Sequence, residues 1–217
     1  MELDHIFVRV APGAPEAEAP RRIGLLEGSG NTHPGQGTAN RRFFLRNAFI
    51  ELLWVADAAE LASERTRPTR LGERLADAAA SPFGICFRPA AGARAAPFPA
   101  WSYVPAYLPP GMTIEIARDA PLSEPMWFHL AAATAPEAAP PARRQPLAHP
   151  VGLREITSVV VTVPGARAWS AAAQAAIATG RLALREGEAH LLEIGFDGET
   201  CGRVHDLRPA LPLVLRY

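Results

Sequence analysis

Apolar and polar side chains alternate along the start of the chain. In Leu3-Asp4-His5-Ile6-Phe7-Val8-Arg9-Val10, the residues Ile6, Val8 and Val10 fall on one face of an extended chain, and His5, Phe7 and Arg9 on the other. The run ends at Pro12-Gly13, a turn signal, so it reads as a strand. Residues 14–28 carry Glu16, Glu18, Arg21 and Arg22 with Ile23, Leu25 and Leu26, which reads as a short helix stopped by Gly28. A glycine-rich loop follows to Gly37. Two strand-like runs, 41–46 and 48–55, meet at Asn47 and read as a tight hairpin. Residues 59–80 read as a helical connector interrupted near Pro68, with Leu61, Leu71 and Leu75 on its apolar side.

A second unit starts at Phe83. FGICFR (83–88), MTIEIA (112–117) and PMWFHLA (125–131) read as strands. Between the first two lies an Ala/Pro stretch with Phe98, Trp101, Tyr103 and Tyr107, where the first unit has its helix. Residues 134–150 have no apolar periodicity and are rich in proline, the signature of a semi-rigid extended linker. The chain therefore divides into a body of residues 1–133, with modules of about 1–56 and 82–133, the linker 134–150, and a C-terminal αβ unit of 151–217. That last unit is small for an independent core and is expected to pack on the body. In it ITSVVVTV (156–163) reads as a strand, 166–178 as an alanine-rich helix closed by Gly180, and HLLEIGF (190–196) as a strand. LDHIFVRV, FGICFRP and ITSVVVTV superpose as opening strands, and FIELLWV, PMWFHLA and LLEIGFD as closing strands, a weak internal repeat. The spacing from His5 to Glu51 equals that from Gly84 to His129 to within one residue.

Composition narrows the function. The 217 residues carry 22 acidic and 22 basic side chains, so no basic surplus marks a nucleic-acid partner. Every basic residue is Arg; the absence of Lys excludes Schiff-base chemistry and a phosphate-binding lysine. Two cysteines, Cys86 and Cys201, give neither a disulfide framework nor a CxxC metal site. No run reaches the roughly 20 apolar residues of a membrane span, and Met1-Glu2-Leu3-Asp4-His5 lacks the basic start of a signal peptide. A cytoplasmic α/β-type protein without a nucleic-acid or membrane partner is expected.

The LDHIFV strand, the loop Asn31-Thr-His-Pro-Gly-Gln-Gly-Thr-Ala-Asn40 and the strand FIELLWV resemble the glyoxalase-like domain of the vicinal oxygen chelate superfamily, which includes glyoxalase I, extradiol dioxygenases and bleomycin-resistance proteins. The resemblance is most specific over 1–56, weaker over 82–131 and thematic in the tail. It implies an α+β fold of paired βαβββ modules forming a curled, cup-shaped mixed sheet around a shared pocket. It also implies a divalent metal held by a His on each opening strand and a Glu on each closing strand. Carried over, His5 and Glu51 match the first module. The second module departs, with Gly84 at the opening position and His129 at the closing one, and the tail positions are Ser158 and Glu193. A homodimer is compatible with the resemblance.

Two imidazoles and a carboxylate, from His5, Glu51 and His129, would suit one divalent metal such as Zn, Fe, Mn or Ni. A buried carboxylate needs a metal or a partner, and Arg9, Arg41 or Arg42 on neighbouring strands are the alternative partners of Glu51, with no metal at all. His33, Gln36 and Asn40 in the loop, with Arg9, Arg41 and Trp101, are the expected substrate contacts. Ser158 lacks a GxSxG elbow, and no acid/base partner stands beside Cys86 in the sequence. Two functions remain: a glyoxalase-like enzyme (lyase, isomerase or dioxygenase) with Glu51 moving a proton, acting on neighbouring substrate oxygens, or a metal-free protein that binds and sequesters a small molecule.

Overall fold

The alternation in residues 2–9 commits that strand to serving two sides of a sheet at once. The structure, a computed structural model, describes residues 1–90, 95–165 and 168–217. Strand β1 (Glu2–Arg9) is followed by a short helix α1 (Glu18–Arg22), strands β2 (Asn31–His33), β3 (Thr38–Phe44) and β4 (Phe49–Val55), and helices α2 (Ala58–Leu61) and α3 (Leu71–Ala76). The second half contains β5 (Phe83–Arg88), β6 (Ala100–Tyr103), β7 (Ile114–Ala117) and β8 (Met126–His129). These eight strands form one sheet in the order β2-β3-β4-β1-β5-β8-β7-β6. β1 and β5 pair antiparallel at its centre, and each has its closing strand parallel on its other side, β4 beside β1 and β8 beside β5. The two halves thus mirror one another across a seam where Ile6 faces Ile85.

Two expectations change. The aromatic stretch of the second half, expected where the first half has its helix, instead supplies in Trp101 and Tyr103 part of edge strand β6, the counterpart of β2, and no helix stands between β5 and β6 among the described residues. The C-terminal unit does not repeat the module. Its strands β9 (Ile156–Pro164), β10 (Leu182–Gly187), β11 (Leu191–Phe196), β12 (Val204–Asp206) and β13 (Leu213–Arg216) form a separate sheet in the order β10-β9-β11-β13-β12. There β9 pairs parallel with β10 directly across helix α4 (Ala171–Ile177), a βαβ crossover absent from the first sheet. The expected start of that helix at residue 166 lies outside the described residues; Ser170 caps it, its hydroxyl accepting from the Ala173 amide at 3.2 Å.

The two sheets pack face to face. Ile6, Val8, Ile50, Leu52, Ile85 and Trp127 from the first share one buried cluster with Val159, Val161, Ile194, Leu213 and Leu215 from the second, and with the alanines of α4. Polar ties fix the docking. The Asn47 side chain in the β3–β4 turn bonds both the amide and the carbonyl of Ile156, at 2.9 and 2.7 Å. Buried Glu124 accepts from the Trp127 indole at 2.9 Å and from the Ser170 hydroxyl at 2.6 Å. His149 in the proline-rich segment bonds the Phe44 carbonyl at 2.7 Å and accepts from the Leu26 amide at 3.0 Å. No described helix is long and apolar enough to cross a membrane.

A chain ending at residue 133 strips the cover from this apolar face. Burial of each such side chain contributes about 1.5–3 kcal/mol, against a total stability of about 5–15 kcal/mol for an ordinary domain. The fragment is expected to aggregate or to unfold at much lower urea than the full chain. A soluble fragment with the full-length midpoint would contradict the shared core.

Candidate functional site

Strand parity builds the concave face. Ile6 and Val8 of β1 enter the core, so His5 and Phe7 face the cup. β4 adds Phe49, Glu51 and Leu53 beside them, and β3 adds Asn40 and Arg42. With Tyr103, Tyr107, Ile114 and Phe128 from the second half they enclose a cavity of about 240 Å³. Pockets for drug-sized ligands run from about 300 to 1,000 Å³, so the occupant is small.

Glu51 is 5% exposed on the wall of that cavity. Its Oε1 accepts from Asn40 Nδ2 at 2.6 Å, and Asn40 is itself fixed because its Oδ1 accepts from the Asn31 amide at 2.7 Å. Its Oε2 lies 3.5 Å from His5 Nε2. On the other side of the imidazole, Nδ1 is 2.6 Å from Asp4 Oδ1. A carboxylate only accepts, so Nδ1 donates and Nε2 is left to face Glu51. Asp4 reaches its neighbour because the β1–β5 ladder shifts register between Leu3 and His5. The His5 ring is clamped by Phe49, stacked at 4.4 Å, and by the edge of Phe128 at 5.3 Å.

A polar rim follows from the β2–β3 loop. His33 Nδ1 is 2.8 Å from Thr38 Oγ1, which also accepts from Gln36 Nε2 at 2.9 Å. The Tyr107 hydroxyl donates to Gln36 Oε1 at 3.5 Å, and its ring lies 4.6 Å from that of His33. Burial holds the His33 pKa below the ordinary imidazole value, the Glu51 charge offsetting part of the shift. Burial pushes the Tyr107 hydroxyl up, with Glu51 adding to it, so it remains a neutral donor. Burial also lowers Arg42, and Glu51 acts against that.

Of the residues expected at a site, His5, Glu51, His33, Gln36 and Asn40 come together around this cavity. Arg9, Arg41 and Trp101 do not line it. Arg9, at the end of β1, donates to the Arg74 and Asp77 carbonyls at 2.8 and 2.6 Å. Arg41 has the opposite parity to Asn40 and Arg42 and pairs with Glu27 at 2.5 Å on the other face. Trp101 stands two residues along the edge strand from Tyr103, edge-on to it at 6.1 Å and beyond the cavity. None of these arginines forms an ion pair with Glu51.

His129 is corrected outright. Met126 and Phe128 of β8 enter the cup, so Trp127 and His129 face the opposite way. His129 sits beside Phe87, fully buried, with neither ring nitrogen hydrogen-bonded among the described residues. The seam locates the true counterparts. With Ile6 placed on Ile85, His5 corresponds to Gly84, and through the paired strands Phe49 corresponds to Met126 and Glu51 to Phe128. A Cβ on Gly84 would meet the Phe7 ring at 2.0 Å. The second half has thus exchanged both ligand positions for apolar packing.

The donor set of the cup can now be weighed against the superfamily's divalent metal. His5 Nε2 and Glu51 Oε2 converge at a separation that a metal can bridge, but two protein donors fall short of the three or four a resident ion takes. Asp4, His5 and Cys86 bring potential ligand atoms within 4.8 Å of one another. There the Asp4 and His5 atoms are already hydrogen-bonded to each other, and the Cys86 thiol donates to the Phe87 carbonyl at 3.6 Å. Neither set fits a resident metal. Asp4 carries no signal in the sequence, Arg42 reads there only as a partner for Glu51, and Tyr107 only as one of four aromatic residues of the second half; Asp4 sits on the apolar parity of β1, and only the register shift brings it to His5.

The glyoxalase-like domain family matches residues 3–177. That span runs from β1 through α4, across the proline-rich segment. No curated protein matches the chain. Among solved structures, the crystal structure of a hypothetical protein from Staphylococcus aureus is similar, with a TM-score of 0.53 over 99% of this chain and 98% of that one at 13% identity, a likeness of fold.

His129 gives a direct test of this geometry. Unpartnered buried polar atoms cost about 1–3 kcal/mol, so His129→Leu should raise the melting temperature and leave ligand binding in the cup intact. Burial lowers the His129 pKa below 6.5. The unfolded chain therefore takes up more protons as the pH falls below about 6.5, and this group's share of stability, present above that pH, is lost on acidification. The variant should flatten the acid limb of a stability–pH profile, with His33, His149 and His190, also lowered by burial, supplying what remains. Loss of cup binding in His129→Leu would return the residue to the site.

Proposed function

The chain belongs to the glyoxalase-like domain family of the vicinal oxygen chelate superfamily, and from that premise we propose that it is a small-molecule enzyme of the lyase or isomerase type. Its reaction begins by moving a proton between a carbon next to a carbonyl and Glu51. One observation carries the reading: a buried carboxylate on the wall of a small cavity, aimed by Asn40 and a clamped imidazole and not neutralised by any described arginine. A structural carboxylate so placed would gain from an ion pair; this one keeps an oxygen beside the cavity.

The geometry supports a simple sequence. A substrate C–H beside a carbonyl approaches Glu51 Oε2, the carboxylate takes the proton, and the C–H electron pair passes into the carbonyl to give an enolate. His5 Nε2, 3.5 Å away, can share the proton, with Asp4 stabilising the positive ring from the far side. Apo contacts of this kind tighten in the substrate complex. The neutral Tyr107 hydroxyl lines the same cavity; to serve the developing oxyanion it would turn its one proton from Gln36 Oε1, a contact of 3.5 Å, to the substrate oxygen. Return of the proton to the opposite face of the same carbon epimerises the substrate; where that carbon also bears a hydroxyl, return to the former carbonyl carbon, with the hydroxyl proton passing to the former carbonyl oxygen, exchanges carbonyl and alcohol; departure of a β-substituent with its electron pair instead makes the enzyme a lyase. The donor set does not fit a resident metal, so no step runs through one.

A second reading, metal-free sequestration of a ligand, is favoured by the apolar second half of the cup, where Gly84 and Phe128 stand at the ligand positions. Solvent exchange separates the two. In deuterated buffer, the protein should speed loss of the α-proton signal from a small ketone or 2-oxo acid that binds it. Glu51→Gln, which preserves the Asn40 contact, should slow that exchange by about a hundredfold or more while retaining binding. Ligands that bind without accelerated exchange would leave the sequestration reading.

A further inference from the structure

Arg42 and Glu51 stand directly opposite one another on β3 and β4, on the same concave face. Side chains so placed have Cβ atoms about 4.5–5.5 Å apart, close enough for opposite charges to join. They do not join: Arg42 forms no ion pair with any described carboxylate. Its Nε donates to the Ser29 carbonyl at 2.8 Å, and Nη2 to the Ser29 hydroxyl at 3.2 Å and the Gly30 carbonyl at 3.4 Å. The guanidinium carbon lies over Phe44 and Phe49, 5.0 and 5.8 Å from their ring centroids. One edge of the fork is therefore spent on the segment between α1 and β2, the charge lies over aromatic rings, and Nη1 has no partner among the described residues.

We propose that the cup takes a small monocarboxylate with an apolar or aromatic body, its carboxylate received by the free Nη1 edge of Arg42. The identity of the anion follows from the surroundings. A half-buried guanidinium without a counter-ion favours an anionic ligand, through charge-assisted hydrogen bonds. A phosphate dianion would carry a second charge towards Glu51, and a single guanidinium does not offset it. The apolar body meets Leu53, Ile114, Ile116 and Phe128 on the far wall. With the carboxylate at Arg42, the next carbons of the ligand lie alongside Glu51, its cross-strand neighbour. This placement of the reactive carbon rests on the proton-transfer reading; the recognition of the carboxylate does not.

Calorimetry on the full chain tests it with two matched pairs, phenylacetate against phenylacetamide and isovalerate against its amide. The wild type should prefer at least one carboxylate over its amide by about tenfold or more. Arg42→Gln should erase that preference with little change in amide affinity. If that variant does not fold, Arg42→Lys decides: it keeps the charge but loses the fork, so the preference should fall without vanishing. Glu51→Gln should bind the carboxylate at least as well as the wild type, because a repelling charge is removed. Equal affinity for acid and amide, a preference unaltered by either Arg42 variant, or no carboxylate binding in either pair overturns the proposal. A preserved preference without proton exchange would sink the catalytic reading alone.

Discussion

Everything in this molecule depends on β1 having two faces with opposite tasks. Its period of two sends Ile6 and Val8 into the core between the sheets and His5 and Phe7 into the cup. A shift of one residue would bury an imidazole among Val159 and Leu215 and open the core to the cavity. The antiparallel seam with β5 repeats the constraint, and there the two halves part company. The Phe7 ring fills the space over Gly84, so the second half has no room for an opening-strand ligand. The chemistry is left one-sided, with polar groups from β1, β3 and β4 facing an aromatic and aliphatic wall from β5 to β8.

That asymmetry gives the buried carboxylate its meaning. A charge beside apolar residues is costly unless its lone pairs are satisfied, and Glu51 has one amide donor and one imidazole rather than a cation. Arg42, the nearest positive charge across the ladder, is held aside by backbone carbonyls. Joined, the two would form an inert internal ion pair. Held apart, they would serve the proposed reaction as a base and an anion anchor on the same small volume, where the low dielectric strengthens both.

Much of this was legible in the sequence. Alternation in 3–10 separated His5 from Ile6 and Val8, and the resemblance of FIELLWV to a closing strand, rather than any alternation in it, set Glu51 beside His5; the family match over residues 3–177 agrees with the fold read from those strands. What could not be read had definite physical causes. Parity is exact along a strand but register between strands is not visible, so one residue of slip chose His129 where Phe128 belongs. The bulge that brings Asp4 to His5 breaks alternation, and alternation was the only signal available. Strands β10, β12 and β13 lie in charged or proline-flanked stretches whose pairing partners supply the pattern that local sequence lacks. The roles of Arg9 and Arg41 turned on side-chain reach: long arginines found backbone carbonyls and Glu27 away from the cup.

On the proposed reading, proton transfer in this cup belongs to Glu51 and its neighbours, without a resident metal. The most direct measurement is the rate of solvent deuterium exchange into a bound carbonyl ligand, taken with metal content before and after exhaustive dialysis against a chelator. The rate should be unchanged on protein carrying far less than one metal ion per chain. A rate that collapses on chelation and returns with added zinc, iron, manganese or nickel would contradict it.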